Sequence, residues 1–246
     1  MTRGFGFALM LALSGSAQAA EIQVLSSNAM KTVLEELAPQ FEKATAHKLA
    51  IKYAPAAELK ARIEKGEACD VAILTTATLD DLIRQGKLAA ATRADIARSG
   101  VGVAIRKGAA RPDISTADAF KRVLLAAKSI AYVGTGATGP NMRKIFDGFG
   151  IGDEMKAKTK LLSGVGAAEA IAHGEAELGF TQVSEILSIA GAELAGPLPP
   201  EVQVYTVFPT AVAAGAKEAA GAQALIKFLT APAAAPVIRA KGMEPG

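Results

Sequence analysis

Gly134, Gly136 and Gly139 spell G-x-G-x-x-G within "AYVGTGATGPNMRKIF", between an apolar run (Ser129 to Val133) and a helix-like segment from Pro140. Placed between strand and helix, such glycines let the backbone approach a pyrophosphate whose charge the free N–H groups hold. A dinucleotide site also needs an acidic residue about 20 positions on, ending the next strand, to hold a ribose hydroxyl. The candidates are Asp153 and Glu154, which follow "GFGI" in what reads as a helix-to-helix loop with no strand. Gly134 and Gly139 also fit the ends of G-x-x-x-x-G-K-[S/T], but Pro140 and Asn141 occupy the lysine and hydroxyl positions. NAD, FAD and ATP are not expected, and no cofactor is implied. The turn then reads two ways. Thr135, Thr138 and Gly139 form a helix start that favours an anion, or the glycines let strand and helix pack closely.

Other reactive side chains are sparse. His47 and His173 precede a strand and end a helix, places for surface or capping roles. No G-x-S-x-G or S-x-x-K stands in the relevant turns. Cys69, the single cysteine, lies beside "DVAIL" and reads as a buried, inert thiol. One Cys and two His make a His/Cys metal site unlikely by count. Glu185, beside Gln182 and Ser184, is the one carboxylate placed to act as a general base, a role that requires burial to tune it.

The elements that would position these groups alternate along the chain. "EIQVL" reads as a strand with Ile22 and Val24 on one face. Met30, Val33, Leu34, Leu37 and Phe41 then follow helical spacing, and Pro39 predicts a kink or division. "KLAIKY" is a second strand. A helix from about Ala57 buries Leu59 and Ile63 and closes at Gly66. "DVAIL" reads as a buried parallel strand, followed by a helix with Leu79, Leu82 and Ile83 that ends near Gly86. Beyond "SGVGVAIRKGA" come a helix near Thr116 to Ala127, the strand and helix about the glycine turn, and "GAAEAIAHGEAELGFTQVSEIL" as helix, turn, strand, helix. "VQVYTVF" is a strand, and "AGAQALIKFL" and "AAPVIRAKG" are helices. This pattern predicts an α/β fold with a mainly parallel sheet.

Composition narrows the function. Arg3, the apolar "FGFALMLALSG" and Ala17-Gln18-Ala19 read as a secretory signal peptide over residues 1–19, cleaved after Ala19. A net charge of +3 from 27 basic and 24 acidic residues, with no tryptophan and three tyrosines, disfavours nucleic acid. Small-residue helix starts recur after strands, at "SSN" (Ser26 to Asn28), "APAAE" (Ala54 to Glu58) and "GVGAAEA" (Gly164 to Ala170). Each alone is an ordinary cap. Together, in two halves of one chain, they point to a shared anion-binding cleft.

"VLSSNAMKTVLEELAPQFEKAT", "ELKARIEKGEACDVAIL", "AIAHGEAELGFTQVSEI" and "ALIKFLTAPAAAPVIRAKGMEP" resemble, in order and spacing, the type II periplasmic solute-binding proteins, in particular their molybdate-binding-protein-like branch. The resemblance implies two α/β lobes joined by two crossover strands ("GVGVAI" and "VYTVFP"), with the solute in an interlobe cleft. Lobe one would take residues 21–101 and 207–246, and lobe two 102–206. It also implies a periplasmic monomer that hands a small anion to the membrane permease of an ABC transporter. Molybdate binders of this family use a Ser at each of two helix starts, backbone N–H groups and a Tyr. Carried over, the first Ser is Ser26 or Ser27, the second falls at Ala56, and the Tyr falls at Gln182. Ligand contacts are thus expected at Ser26 or Ser27, Ala56 and Ala57, Thr138 and Gly139, Val165 and Gly166, and Gln182. "TQVSEI" with "GAELAGPLPPEVQ" resembles a subgroup associated with small organic acids, including aconitate isomerases. That favours a carboxylate over molybdate and makes an isomerase the alternative to a binding protein. Carboxylates recruit arginine, and Arg143, placed on the first turn after the glycines, is the nearest, with a solvent-facing place near Asp147 as its other reading.

Overall fold

The computed structural model describes residues 20–136, 138–163 and 166–246. The segment read as a signal peptide and the expected contact Val165 lie outside them. Strand β1 (Glu21–Ser27) leads through a 3-10 turn (Asn28–Met30) into helix α1 (Lys31–Thr45). Val33, Leu34, Leu37 and Phe41 form the buried stripe of α1. Of the two outcomes expected at Pro39, a kink or a division, the helix is not divided. The proline sits on the exposed face, where water can satisfy the carbonyl it leaves unpaired, while the stripe packs on both sides of it. There follow β2 (Lys48–Ala54), α2 (Ala56–Glu64), β3 (Val71–Ile73) and α3 (Thr76–Arg84). Gly66 (φ 86°) and Gly86 (φ 70°) turn the chain out of α2 and α3 in the left-handed region.

A 13-residue strand, β4 (Ala94–Arg106), then enters the second half. That half holds α4 (Ala117–Ala126), β5 (Ile130–Val133), α5 (Thr138–Gly148), α6 (Gly152–Lys158), β6 (Thr159–Leu162) and α7 (Ala167–Ala172). It continues through β7 (Leu178–Gln182), α8 (Val183–Leu187) and β8 (Ala192–Pro197). The chain closes with β9 (Tyr205–Val212), α9 (Ala219–Leu229), α10 (Ala235–Ala240) and β10 (Glu244–Pro245). Asp153 and Glu154 fall in the first turn of α6, not in a loop. The next strand, β6, carries no carboxylate, so the glycine turn has no ribose-binding partner at that strand's end.

The strands run in the order β2-β1-β3-β9-β4-β7-β5-β6. β1 pairs in parallel with β2 and β3, and β5 with β6 and β7. The antiparallel pairs all involve β4 or β9, so the sheet is evenly mixed where a mainly parallel one was expected. β4 joins the two halves, pairing with β9 from Ala94 to Gly100 and with β7 from Val101 to Ala104. Each half has its own core. Phe41, Phe208 and Leu225 belong to one, and Phe120, Phe180 and Met142 to the other. The architecture is α/β and two-lobed.

Candidate functional site

A cavity of ≈ 380 Å³ lies where helix starts from both halves meet. In α/β sheets the carboxyl ends of parallel strands leave such a crevice, and the helices that follow aim their N-termini into it. The first half contributes Ser27, Asn28 and Ala29 where β1 ends, Tyr53 to Ala56 and Glu58 where β2 gives way to α2, and Thr75 before α3. The second half contributes Gly136 and Thr138 at α5, Gly166 before α7, and Thr181, Gln182 and Glu185 at α8. Free N–H groups and helix dipoles there favour negative charge.

Ser26 and Ser27 divide their roles because side chains alternate along a strand. Ser26 faces away from the cavity, and its hydroxyl donates to the Ser27 carbonyl oxygen at 3.3 Å. Ser27 lines the cavity, is 4% exposed, and its Oγ has no hydrogen-bond partner. A buried hydroxyl without a partner costs about 1–3 kcal/mol, so a ligand that accepts its proton removes a penalty.

Gln182 faces it from the other half, 2% exposed at the end of β7. Its Nε2 donates to Thr138 Oγ1 at 3.3 Å and to Thr206 Oγ1 at 3.2 Å, while Oε1 has no partner. Both partners are hydroxyls, which donate as readily as they accept.

Glu185 stands on the first turn of α8. Its Oε2 accepts from the Thr181 hydroxyl and, at 3.4 Å, from the Gln182 backbone N–H. Burial pushes its carboxyl above the ordinary value of 4.5, the two hydrogen bonds oppose that, and the charge of Glu169 adds to it. Glu169 folds back over the start of its own helix, and its Cδ would lie 3.0 Å from a Cβ placed on Gly166. Tyr53 remains a neutral phenol because burial, aided by the charge of Glu35, pushes it up to about 12. Among the described residues lining the cavity, Tyr53, Glu58 and Glu185 ionise only to anions, and none is Lys, Arg or His.

Ser27, Ala56, Thr138, Gly166 and Gln182 are thus brought together. Ser26, Ala57, Gly139 and Arg143 are not among the lining residues. Ala57 is exposed on the outer side of α2. A Cβ on Gly139 would collide with the Gly134 carbonyl and lie 2.7 Å from the Val133 carbonyl oxygen. This glycine lets α5 pack against the end of β5. Arg143 falls beyond the first turn because α5 begins at Thr138, not Pro140. Its Nη1 reaches back to the Gly134 carbonyl at 3.3 Å, beside the Tyr132 hydroxyl. Sequence reasoning missed Tyr53, Glu58, Thr75 and Thr181. Thr75 carried the same signal as the starts it found, a small hydroxyl residue between a strand and a helix.

The family model for bacterial extracellular solute-binding protein matches residues 22–244. An aconitate isomerase from a Pseudomonas species is 32% identical over 229 residues, which cover 91% of this chain and 87% of that protein. A molybdate-binding protein of Azotobacter vinelandii is 28% identical over 243 residues, covering 94% of this chain and 92% of that one. The solved structure of the periplasmic molybdate-binding protein from the same organism superposes with a TM-score of 0.78 at 22% identity, over 92% of this chain and 99% of that chain. The chain therefore belongs to the bacterial extracellular solute-binding proteins.

Proposed function

We propose that this protein binds a small organic di- or tricarboxylate between its lobes, in the periplasm, as the solute receptor of an ABC importer. In this reading, lobe one takes residues 21–101 and 207–246, and lobe two takes 102–206. The observation that carries it is the unpartnered Ser27 hydroxyl among converging helix starts, facing the Gln182 amide. Neutral donors on both walls suit an anion held without a counter-ion. The cavity equals about a dozen waters at about 30 Å³ each, room for a six-carbon acid to touch both walls. A tetrahedral oxyanion finds Ala56 where the family's second serine would stand, and an amide at Gln182 in place of the tyrosine. Calorimetric titration of the mature chain with trans-aconitate, fumarate, molybdate and sulfate tests this. The carboxylates should bind, and more tightly than molybdate. Tighter binding of molybdate would overturn the choice of ligand.

A second reading, an isomerase on the same scaffold, is favoured by Glu185 and by the relative named as an aconitate isomerase. In it the Glu185 carboxylate would take a proton from the methylene carbon of trans-aconitate. The double bond would shift by one position, and the same proton would return to the former alkene carbon. Proton magnetic resonance of trans-aconitate incubated with purified protein separates the readings. Appearance of the cis isomer above the buffer control would establish catalysis.

A further inference from the structure

Among the described residues that line this cleft, a polyanion meets carboxylates and no cation. Glu58, 3.6 Å from the guanidinium of Arg62, and the unpaired Glu185 line it, and Glu169 closes over Gly166 in the same wall. The surroundings of Glu185 do not compensate either. Of the elements packed on α8, β7 and the Asn28–Met30 turn carry no charged side chain. On β4, Asp95 pairs with Arg93 at 3.0 Å and Arg98 with Glu244, and Arg106 sits at the far end of the strand. On β8, Glu193 pairs with Arg111. Lys31, just beyond the turn, lies 3.8 Å from Glu35, and Lys241, beside the Gly242 that packs on Val183 and Leu187 of α8, pairs with Glu36 at 2.7 Å. The charge of Glu169 already weighs against an ionised, buried Glu185, and a ligand carboxylate beside it would add to that repulsion unless one group is neutralised.

We propose that the cleft takes up its organic acid together with one proton, which resides on Glu185 so that this side chain donates a hydrogen bond to a ligand carboxylate. The inference rests on the carboxylate reading above. The proton comes from solvent, and no other bond is made or broken. The geometry suits it: Oε2 of Glu185 already accepts from the Thr181 hydroxyl and the Gln182 N–H, and a proton on the other oxygen leaves both bonds in place. Neutral Glu185 converts a repulsive group into a donor that complements Ser27 Oγ across the cavity. The isomerase reading requires the opposite, an ionised Glu185 at the moment it accepts the substrate's proton.

The test is calorimetry of trans-aconitate binding to the mature chain in buffers of different ionisation enthalpy at about pH 8, where ordinary carboxyls near pKa 4 are ionised. The slope of heat against ionisation enthalpy counts protons. The wild type should take up about one per ligand, and its Kd should weaken about tenfold per pH unit between the Glu185 pKa values of the free and bound states. Glu185→Gln should bind with no uptake and a flat pH profile. Equal proton counts in the two proteins, or no uptake by the wild type, would overturn the proposal and leave the carboxylate reading standing. If the variant does not fold, the wild-type count alone decides. No binding of any carboxylate by folded wild type would instead sink the carboxylate reading and this inference with it.

Discussion

Replacing Ser27 by alanine separates a binding hydroxyl from a structural one. The Ser27 Oγ is buried without a partner, so the unliganded fold already bears its desolvation. Deleting it removes no hydrogen bond and leaves a methyl group of nearly the same shape. Unliganded stability should hold or rise, by up to about 1 kcal/mol, or about 2–4 °C for a protein of this size. In the complex the same hydroxyl would donate to a carboxylate, a charge-assisted bond worth about 1.5–3 kcal/mol. Its loss should weaken Kd about 10- to 150-fold, since about 1.4 kcal/mol is tenfold. Ser26→Ala is the control, because the Ser26 hydroxyl turns to the Ser27 carbonyl and away from the cavity. Calorimetry with trans-aconitate gives the affinities, and thermal unfolding without ligand gives the stabilities. A Ser27→Ala protein that melts lower yet binds as the wild type does would refute this assignment.

Gln182→Ala should weaken trans-aconitate binding by about 1–2 kcal/mol. It should also cost unliganded stability, because its amide bonds Thr138 and Thr206; an unchanged melting temperature would show those bonds to be idle. Gly139→Ala should lower the melting temperature by the several degrees expected of about 1–3 kcal/mol of overpacking, because the new Cβ meets the backbone of Val133 and Gly134. The Cys69 thiol, buried and pushed up to about 12 by that burial, should resist a thiol reagent at neutral pH in the native protein and react on denaturation. Arg62 first, then Lys52, hold the Glu67 carboxyl down at about 2. A depressed pKa stabilises above the unfolded value of about 4 and is lost as pH falls towards 2, so Glu67→Gln should flatten that part of an acid-unfolding curve.

Much of the fold was legible because its signals are local. Ile22 and Val24, Leu59 and Ile63, and Gly66 and Gly86 carry the two periods and the stops within a few residues of each other. β6 and β8 were not legible. "TKLL" is short and half exposed, and "AELAGP" contains the glycine and proline that argue against a strand, so pairing with β5 and β4 decides both. The antiparallel course of β4 and β9 is likewise a property of the whole chain. At the cleft, helix starts after strands could be read directly, and this brought Ser27, Ala56, Thr138 and Gly166 to one place. Which of two adjacent serines faces inward depends on the phase of β1. The reach of Arg143 depends on where α5 begins, a boundary displaced by two residues. Tyr53 and Glu58 gave no local signal, since a strand tyrosine and a first-turn glutamate are common wherever they face.

A crystal structure of the mature chain grown with saturating trans-aconitate tests the central claim most directly. The account predicts the acid between the lobes, one carboxylate within hydrogen-bond distance of Ser27 Oγ and the other end meeting the Gln182 amide and the Glu185 carboxyl. Ligand bound elsewhere with this cleft empty, or seated there with Ser27 and Gln182 turned away from it, would contradict it.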